Sequence, residues 1–199
     1  QNVANTPLPD YIVVNGTEYE CQVDFRVWAD VVILAQENLF DAPKTEQQVV
    51  ENLRVLAEMQ RRVFGRAISE PAMDTLRAML EWLKGYPRAD NGYQADEDGN
   101  GAKTYSLKHD MNYIVLAIRN QSGLDLTFSR TTPFHWWLFL LEFQTLTDQH
   151  LITNIMQWRA YSGEDKDLIR RRDRVALPKE YTKSEQAMLE EMADLFPNT

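Results

Sequence analysis

Residues 11–35 read YIVVNGTEYECQVDFRVWADVVILA, and their hydrophobic period changes halfway along. Tyr11-Ile-Val-Val14 and Thr17–Val23 flank Asn15-Gly16, the pair that most favours a two-residue hairpin turn because both positions accept positive φ. Thr17, Tyr19, Cys21 and Val23 alternate with Glu18, Glu20 and Gln22, which turns one face of the second strand toward a core. From Asp24 the period becomes helical. Asp24 suits an N-cap, and Phe25, Trp28, Val31, Val32 and Ala35 fall on one stripe. Two strands alone are marginal in water, so the hairpin must lie on the helices that follow. The expected fold is mainly α: a helical bundle-like single domain with an N-terminal β-hairpin over 11–23.

The same period continues downstream. Pro43 breaks the chain, Thr45-Glu-Gln-Gln48 fits a capping box, and Val49, Leu53, Leu56, Val63 and Phe64 carry a second stripe. Ser69 and Pro71 open a third helix with Met73, Leu76, Leu80 and Leu83, which stops at Gly85 with Pro87 beyond it. Residues 86–104 are rich in Gly, Asp and Asn and lack periodicity, so a long, mobile acidic surface loop is expected. Asp110 suits a cap for a helix with Tyr113, Ile114, Ala117 and Ile118 that ends near Gly123. Thr132-Pro133 opens Phe134 to Leu146, and Thr147-Asp148 opens a helix with Leu151, Ile152, Ile155 and Met156. Thr182 and Glu185 form another capping box ahead of Met188, Met192, Leu195 and Phe196. The reading divides the chain into a main domain, 1–162, and a basic stretch with an amphipathic helix, 163–199.

Charge and composition exclude several classes. The 199 residues carry 21 Lys+Arg against 30 Asp+Glu, a net charge of -9, which argues against nucleic-acid or anionic-membrane partners. A single cysteine, Cys21, leaves no internal disulfide and no multi-thiolate metal site. Phe134–Leu141 is too short to span a bilayer, which takes ~20 apolar residues. The opening QNVANTPLPD has neither the basic region nor the apolar core of a signal peptide. A soluble protein of a reducing cytoplasm is expected.

Few motifs carry chemistry. Asp96, Asp98, Asn100 and Gly101 match the first half of a calcium-binding EF-hand loop, but the twelfth position is Leu107 rather than a bidentate Glu. His109, His135 and His150 have no pair at i,i+4 spacing. No GxSxG or phosphate-cradling GxxxxGK[ST] occurs. No enzyme, cofactor or metal is therefore expected. Arg170-Arg-Arg-Asp-Arg174, in an acidic chain, reads as a solvated helix face or a partner-facing ion-pair strip. Phe134-His-Trp-Trp-Leu-Phe-Leu-Leu-Glu-Phe143 is apolar on all sides, so it belongs in a core or, second, against another chain.

Four stretches in order carry a family resemblance: Asn15–Tyr19 with Asp24–Trp28, Tyr105–Ile114, Gly123–Leu126, and His135-Trp136-Trp137 with Phe139, Ile155, Met156 and Arg159. Together they resemble the phage "gp fifteen" family, regarded as tail assembly chaperones of long non-contractile tails. Trp158 stands where that family usually has Tyr, and the chain after Ser162 matches weakly. The resemblance implies a non-enzymatic protein of the host cell cytoplasm that binds the tape measure protein and self-associates into a homo-oligomer, with the tail tube protein a second candidate partner. A structural tail or neck component retained in the virion is the alternative. Within that picture the stripe Met188, Met192, Leu195 and Phe196 is either packed on its own domain or used for self-association or for the tape measure protein, because Met-rich faces repack easily.

Overall fold

The structure, a computed structural model, describes residues 7–40, 42–86, 103–127 and 132–187. Over these it is mainly helical with an N-terminal hairpin: β1 (Tyr11–Val14), β2 (Thr17–Glu20), α1 (Phe25–Asn38), α2 (Glu46–Phe64), α3 (Ala72–Leu83), α4 (Leu107–Ser122), α5 (Trp136–Gln144), α6 (Leu151–Ala160) and α7 (Lys166–Arg174). Helical backbone also occupies 183–187. The backbone groups into two compact units. One holds 7–84 and the described residues from 179, the other the described residues of 85–178.

In the first unit Asn15 and Gly16 both take positive φ (49° and 84°), as the Asn-Gly turn requires. The antiparallel register pairs Tyr11 with Glu20, Ile12 with Tyr19, Val13 with Glu18 and Val14 with Thr17. The inward face is the expected one: Tyr19 is half-buried and Cys21 buried, while Glu18, Glu20 and Gln22 are exposed. Ile12 and Val14 of β1 are buried, β1 lies against α3, and on β2 only Tyr19 is half-buried. Asp24 caps α1 by accepting from the Arg26 N–H. Trp28 is wholly buried, stacks on Trp82 at 4.3 Å between centroids, and donates from Nε1 to the Gln22 carbonyl at 2.7 Å. Asn52 ties the α1–α2 connection by bonding both the N–H and the C=O of Phe40.

Two stripes differ from the reading. On α3 the buried residues are Thr75, Met79 and Trp82, one residue (about 100°) round the helix from Met73, Leu76, Leu80 and Leu83. The Trp28–Trp82 stack sets that rotation, and Thr75 enters the core because its hydroxyl donates to the Pro71 carbonyl. On α2, Leu56 and Val63 are buried, but Val49 is 44% and Leu53 49% exposed. The stripe is covered only in its second half.

In the second unit α4 packs against both α5 and α6, and α6 against α7. Ser106, not Asp110, caps α4 by accepting from the His109 N–H, while Gly123 ends it at φ 77°. α5 is shorter than the expected Phe134–Leu146. His135 is extended, and its Nδ1 accepts from the Trp137 N–H, so the helix begins after it. α6 begins at Leu151 rather than at Thr147. The Thr147 and Asp148 carbonyls instead accept from the Thr153 hydroxyl and the Asn154 amide. Residues 163–174, set apart at residue 162 in the sequence reading, share this unit: Arg159 Nε donates to the Val175 carbonyl and Arg172 to that of Tyr161. The boundary at 84/85 falls where α3 gives way to Gly85, Pro87 and the aperiodic stretch beyond them.

Candidate functional site

The motif residues sit on two helices that share α4 as a floor. Trp136 (3% exposed), Trp137 (8%) and Phe139 are buried on α5, and Ile155 is buried and Met156 half-buried on α6. Trp136 stacks on Phe139 at 5.5 Å and Phe139 on Phe143 at 6.4 Å, while Tyr105 meets Phe143 edge-on at 5.0 Å. His135 and Tyr86 each stand edge-on to Trp137. Such ring pairs add about 0.5–1.5 kcal/mol each beyond the area they bury. Gly85, at φ 78°, passes so close that a Cβ there would lie 2.8 Å from Leu140 Cδ1. Trp136, Trp137, Phe139 and Phe143 are therefore core, the first of the block's two sequence readings, while Leu141 is exposed.

Arg159 is the exception among the apolar motif residues. Its side chain is 9% exposed and faces the Asp110 carboxylate, 3% exposed, with Nη1–Oδ2 2.6 Å and Nη2–Oδ1 3.1 Å. Nη1 also donates to the Thr104 carbonyl at 3.1 Å and Nε to the Val175 carbonyl at 2.6 Å, while Asp110 accepts from the Ser106 N–H at 2.8 Å. A planar guanidinium with its donors in a fixed fork satisfies such an arrangement where Lys could not. One residue thus joins α6 to the start of α4, the strand of chain before it, and the chain after α7. Sequence reasoning named Arg159 and Asp110 separately, the latter as a cap, and missed their pairing. The available signal was an arginine on an otherwise apolar helix, which needs a buried acid.

Titratable groups elsewhere follow their surroundings. Burial pushes the Cys21 thiol up to about 12, with Asp10 and Glu20 adding to it. Burial also raises the Tyr86 phenol. The hydrogen bond from Tyr19 to Glu70, at 2.7 Å, raises that phenol too. Among the described residues no group of three or more His, Cys, Asp and Glu could hold a metal ion. Asp96–Gly101 lies outside the described residues, and Leu107 is the first residue of α4. No helix among the described residues is long and apolar enough to cross a membrane.

The surface has two features of note. Val49, Val50 and Leu53 stand exposed together on the first half of α2, with Met73 and Leu80 exposed on α3. No residue of α7 is buried: Arg170 pairs with Asp167, Arg172 with Asp173, and Arg171 lies 5.4 Å over the Trp158 ring. Met188, Met192, Leu195 and Phe196 lie outside the described residues. The Thr182–Glu185 box before them is formed reciprocally, each backbone N–H bonded to the other's side chain.

No curated protein and no solved structure matches the chain. A family model described as "Bacteriophage Gp15 protein" matches residues 5–185, which include the hairpin, the Asp110–Arg159 pair and the tryptophan core. The chain therefore belongs to the bacteriophage Gp15 family and is a phage structural or assembly protein.

Proposed function

We propose that the protein is a non-enzymatic tail assembly chaperone that holds the tape measure protein in soluble form and self-associates while the tail is built. The observation that carries this reading is the α2 stripe. Val49 and Leu53 continue the line of Leu56 and Val63, yet the first two are exposed and the last two buried. A core stripe that runs out into solvent, on a chain of net charge -9, gives apolar contact area on a carrier that stays dispersed. A very long apolar helical client needs such a carrier. Family membership supports the phage context, and the stripe supports a client-binding rather than a purely structural part.

The test is co-expression with the tape measure protein of the same phage, together with mass spectrometry of purified virions. The chaperone reading expects the tape measure protein to move from the insoluble to the soluble fraction, and expects this chain to be absent from mature particles. Its presence at fixed copy number in the virion would replace that reading with the alternative, a structural tail or neck component.

A further inference from the structure

Helix α7 is a basic body on an acidic chain. Lys166, Arg170, Arg171, Arg172 and Arg174 against Asp167 and Asp173 leave it at +3. The chain as a whole stands at -9, so the remainder carries -12. Leu168 and Ile169 are its half-buried side, and Arg172 turns with them toward the Tyr161 carbonyl. Lys166, Arg170 and Arg174, at i, i+4 and i+8, form a row on the opposite, exposed side, spaced about 6 Å apart. Arg170 shares an exposed contact with Asp167, whereas Lys166 and Arg174 make no ion pair among the described residues.

The outer face of the hairpin is the complement. With Ile12 and Val14 turned inward, Tyr11 and Val13 face out, and the register sets Glu20 beside Tyr11 and Glu18 beside Val13. All four are exposed. Glu18 and Glu20 make no ion pair among the described residues, and two strand residues apart puts them about 7 Å from each other. A row of cations at nearly that spacing can meet both carboxylates while its aliphatic stems cover Val13 and Tyr11.

We propose that α7 of one copy docks on the outer hairpin face of a second copy of this chain, two of the Lys166, Arg170 and Arg174 side chains meeting Glu18 and Glu20. This rests on the self-association in the proposed function and supplies its contact surfaces. The two faces differ, so the contact is heterologous: each pair leaves one hairpin and one α7 open, and further copies add. A second copy fits better than a nucleic acid. Three cations in a row release too few counterions to hold a polyanion against a charge of -12 on the rest of the chain, whereas every copy brings one matched face of each sign.

Sedimentation velocity on the purified full chain tests this. Association should weaken at least about ten-fold between roughly 50 mM and 500 mM salt, as exposed charge pairs are screened. Glu18→Lys with Glu20→Lys should abolish it, as should Lys166→Glu with Arg170→Glu and Arg174→Glu, because each variant then presents like charges on both faces. An equimolar mixture of the two variants should associate again. The milder Glu18→Gln with Glu20→Gln should weaken association about ten-fold with an unchanged circular dichroism spectrum. A wild type that stays monomeric at low salt, either reversed variant associating like wild type, or a mixture that stays monomeric overturns the proposal. So does a labelled DNA duplex that binds wild type at low salt and not the α7 variant, which would make α7 a nucleic-acid contact. Failure of wild type to solubilise the tape measure protein would overturn the chaperone reading alone and leave the sedimentation result standing.

Discussion

Replacing Arg159 by Met keeps an unbranched apolar stem and deletes the guanidinium with its charge and its donors. Four hydrogen bonds go: two to Asp110, one to the Thr104 carbonyl and one to the Val175 carbonyl. Asp110 would remain a buried carboxylate with the Ser106 N–H as the only other bond described for it. Removing one partner of a buried ion pair costs about 3–5 kcal/mol because the other charge is stranded. Two main-chain carbonyls also lose a donor, so the expected loss lies at the upper end, about 4–5 kcal/mol. That is a large share of the ~5–15 kcal/mol of a typical domain. Asp110→Asn keeps one oxygen that can accept from both Ser106 and Arg159 Nη1, loses the acceptor for Nη2, and should cost less, about 2–3 kcal/mol. The double variant should lose less than the sum, with a coupling of at least about 2 kcal/mol. Urea unfolding followed by tryptophan fluorescence and far-ultraviolet circular dichroism measures all three. An Arg159→Met variant within about 1 kcal/mol of wild type, or strictly additive losses, would show that the pair does not organise the second unit.

Trp136→Ala and Trp137→Ala should each cost about 3–5 kcal/mol from the cavity they leave; unchanged melting temperatures with lost partner binding would put the rings at an interface. Cys21, held near 12 against an ordinary thiol value of 9.0, should react with iodoacetamide at pH 8 about a thousand times more slowly in the folded protein than in urea, and equal rates would show the thiol to be accessible. Because burial raises this acid's pKa, the stability it carries is complete below the unfolded thiol's range and drains as pH climbs from about 9 toward 12, which alkaline unfolding of a Cys21→Ala variant should show by its flatter profile. Deleting residues 188–199 should leave the helical signal and unfolding of the rest nearly intact while reducing capture of the tape measure protein; global unfolding of the truncated chain would make that segment ordinary core.

Much of the fold was legible where a local rule acts alone. The Asn15-Gly16 turn, the Asp24 cap, the Thr182–Glu185 box and the Gly123 stop each depend on neighbours within a few residues, and each is present as read. The departures arise where two segments compete. Helix α3 carries two apolar faces one residue apart, and the Trp28–Trp82 stack chooses between them. At α5 the reading favoured Thr132-Pro133, but the His135 imidazole offers its own acceptor to the first turn and the helix starts later. The Arg159–Asp110 pair spans 49 residues of sequence, a separation at which no periodicity signals contact.

The recognisable part of the chain and its proposed contact surfaces are different sets of residues. The motif that carries the family resemblance, His135, Trp136, Trp137, Phe139 and Ile155, is buried, and Arg159 spends its donors inside the second unit. Those residues report how that unit is built. They say little about what it touches, since a buried ring meets only its own neighbours. Contact with a client or another copy has to come from side chains that the fold leaves outside: Val49 and Leu53 on α2, Tyr11, Val13, Glu18 and Glu20 on the hairpin, and the Lys166–Arg174 row on α7. In sequence such residues look like the ordinary continuation of a core stripe or a solvated charge run. Only their exposure, in register with one another, separates a surface that can bind from a helix that merely dissolves.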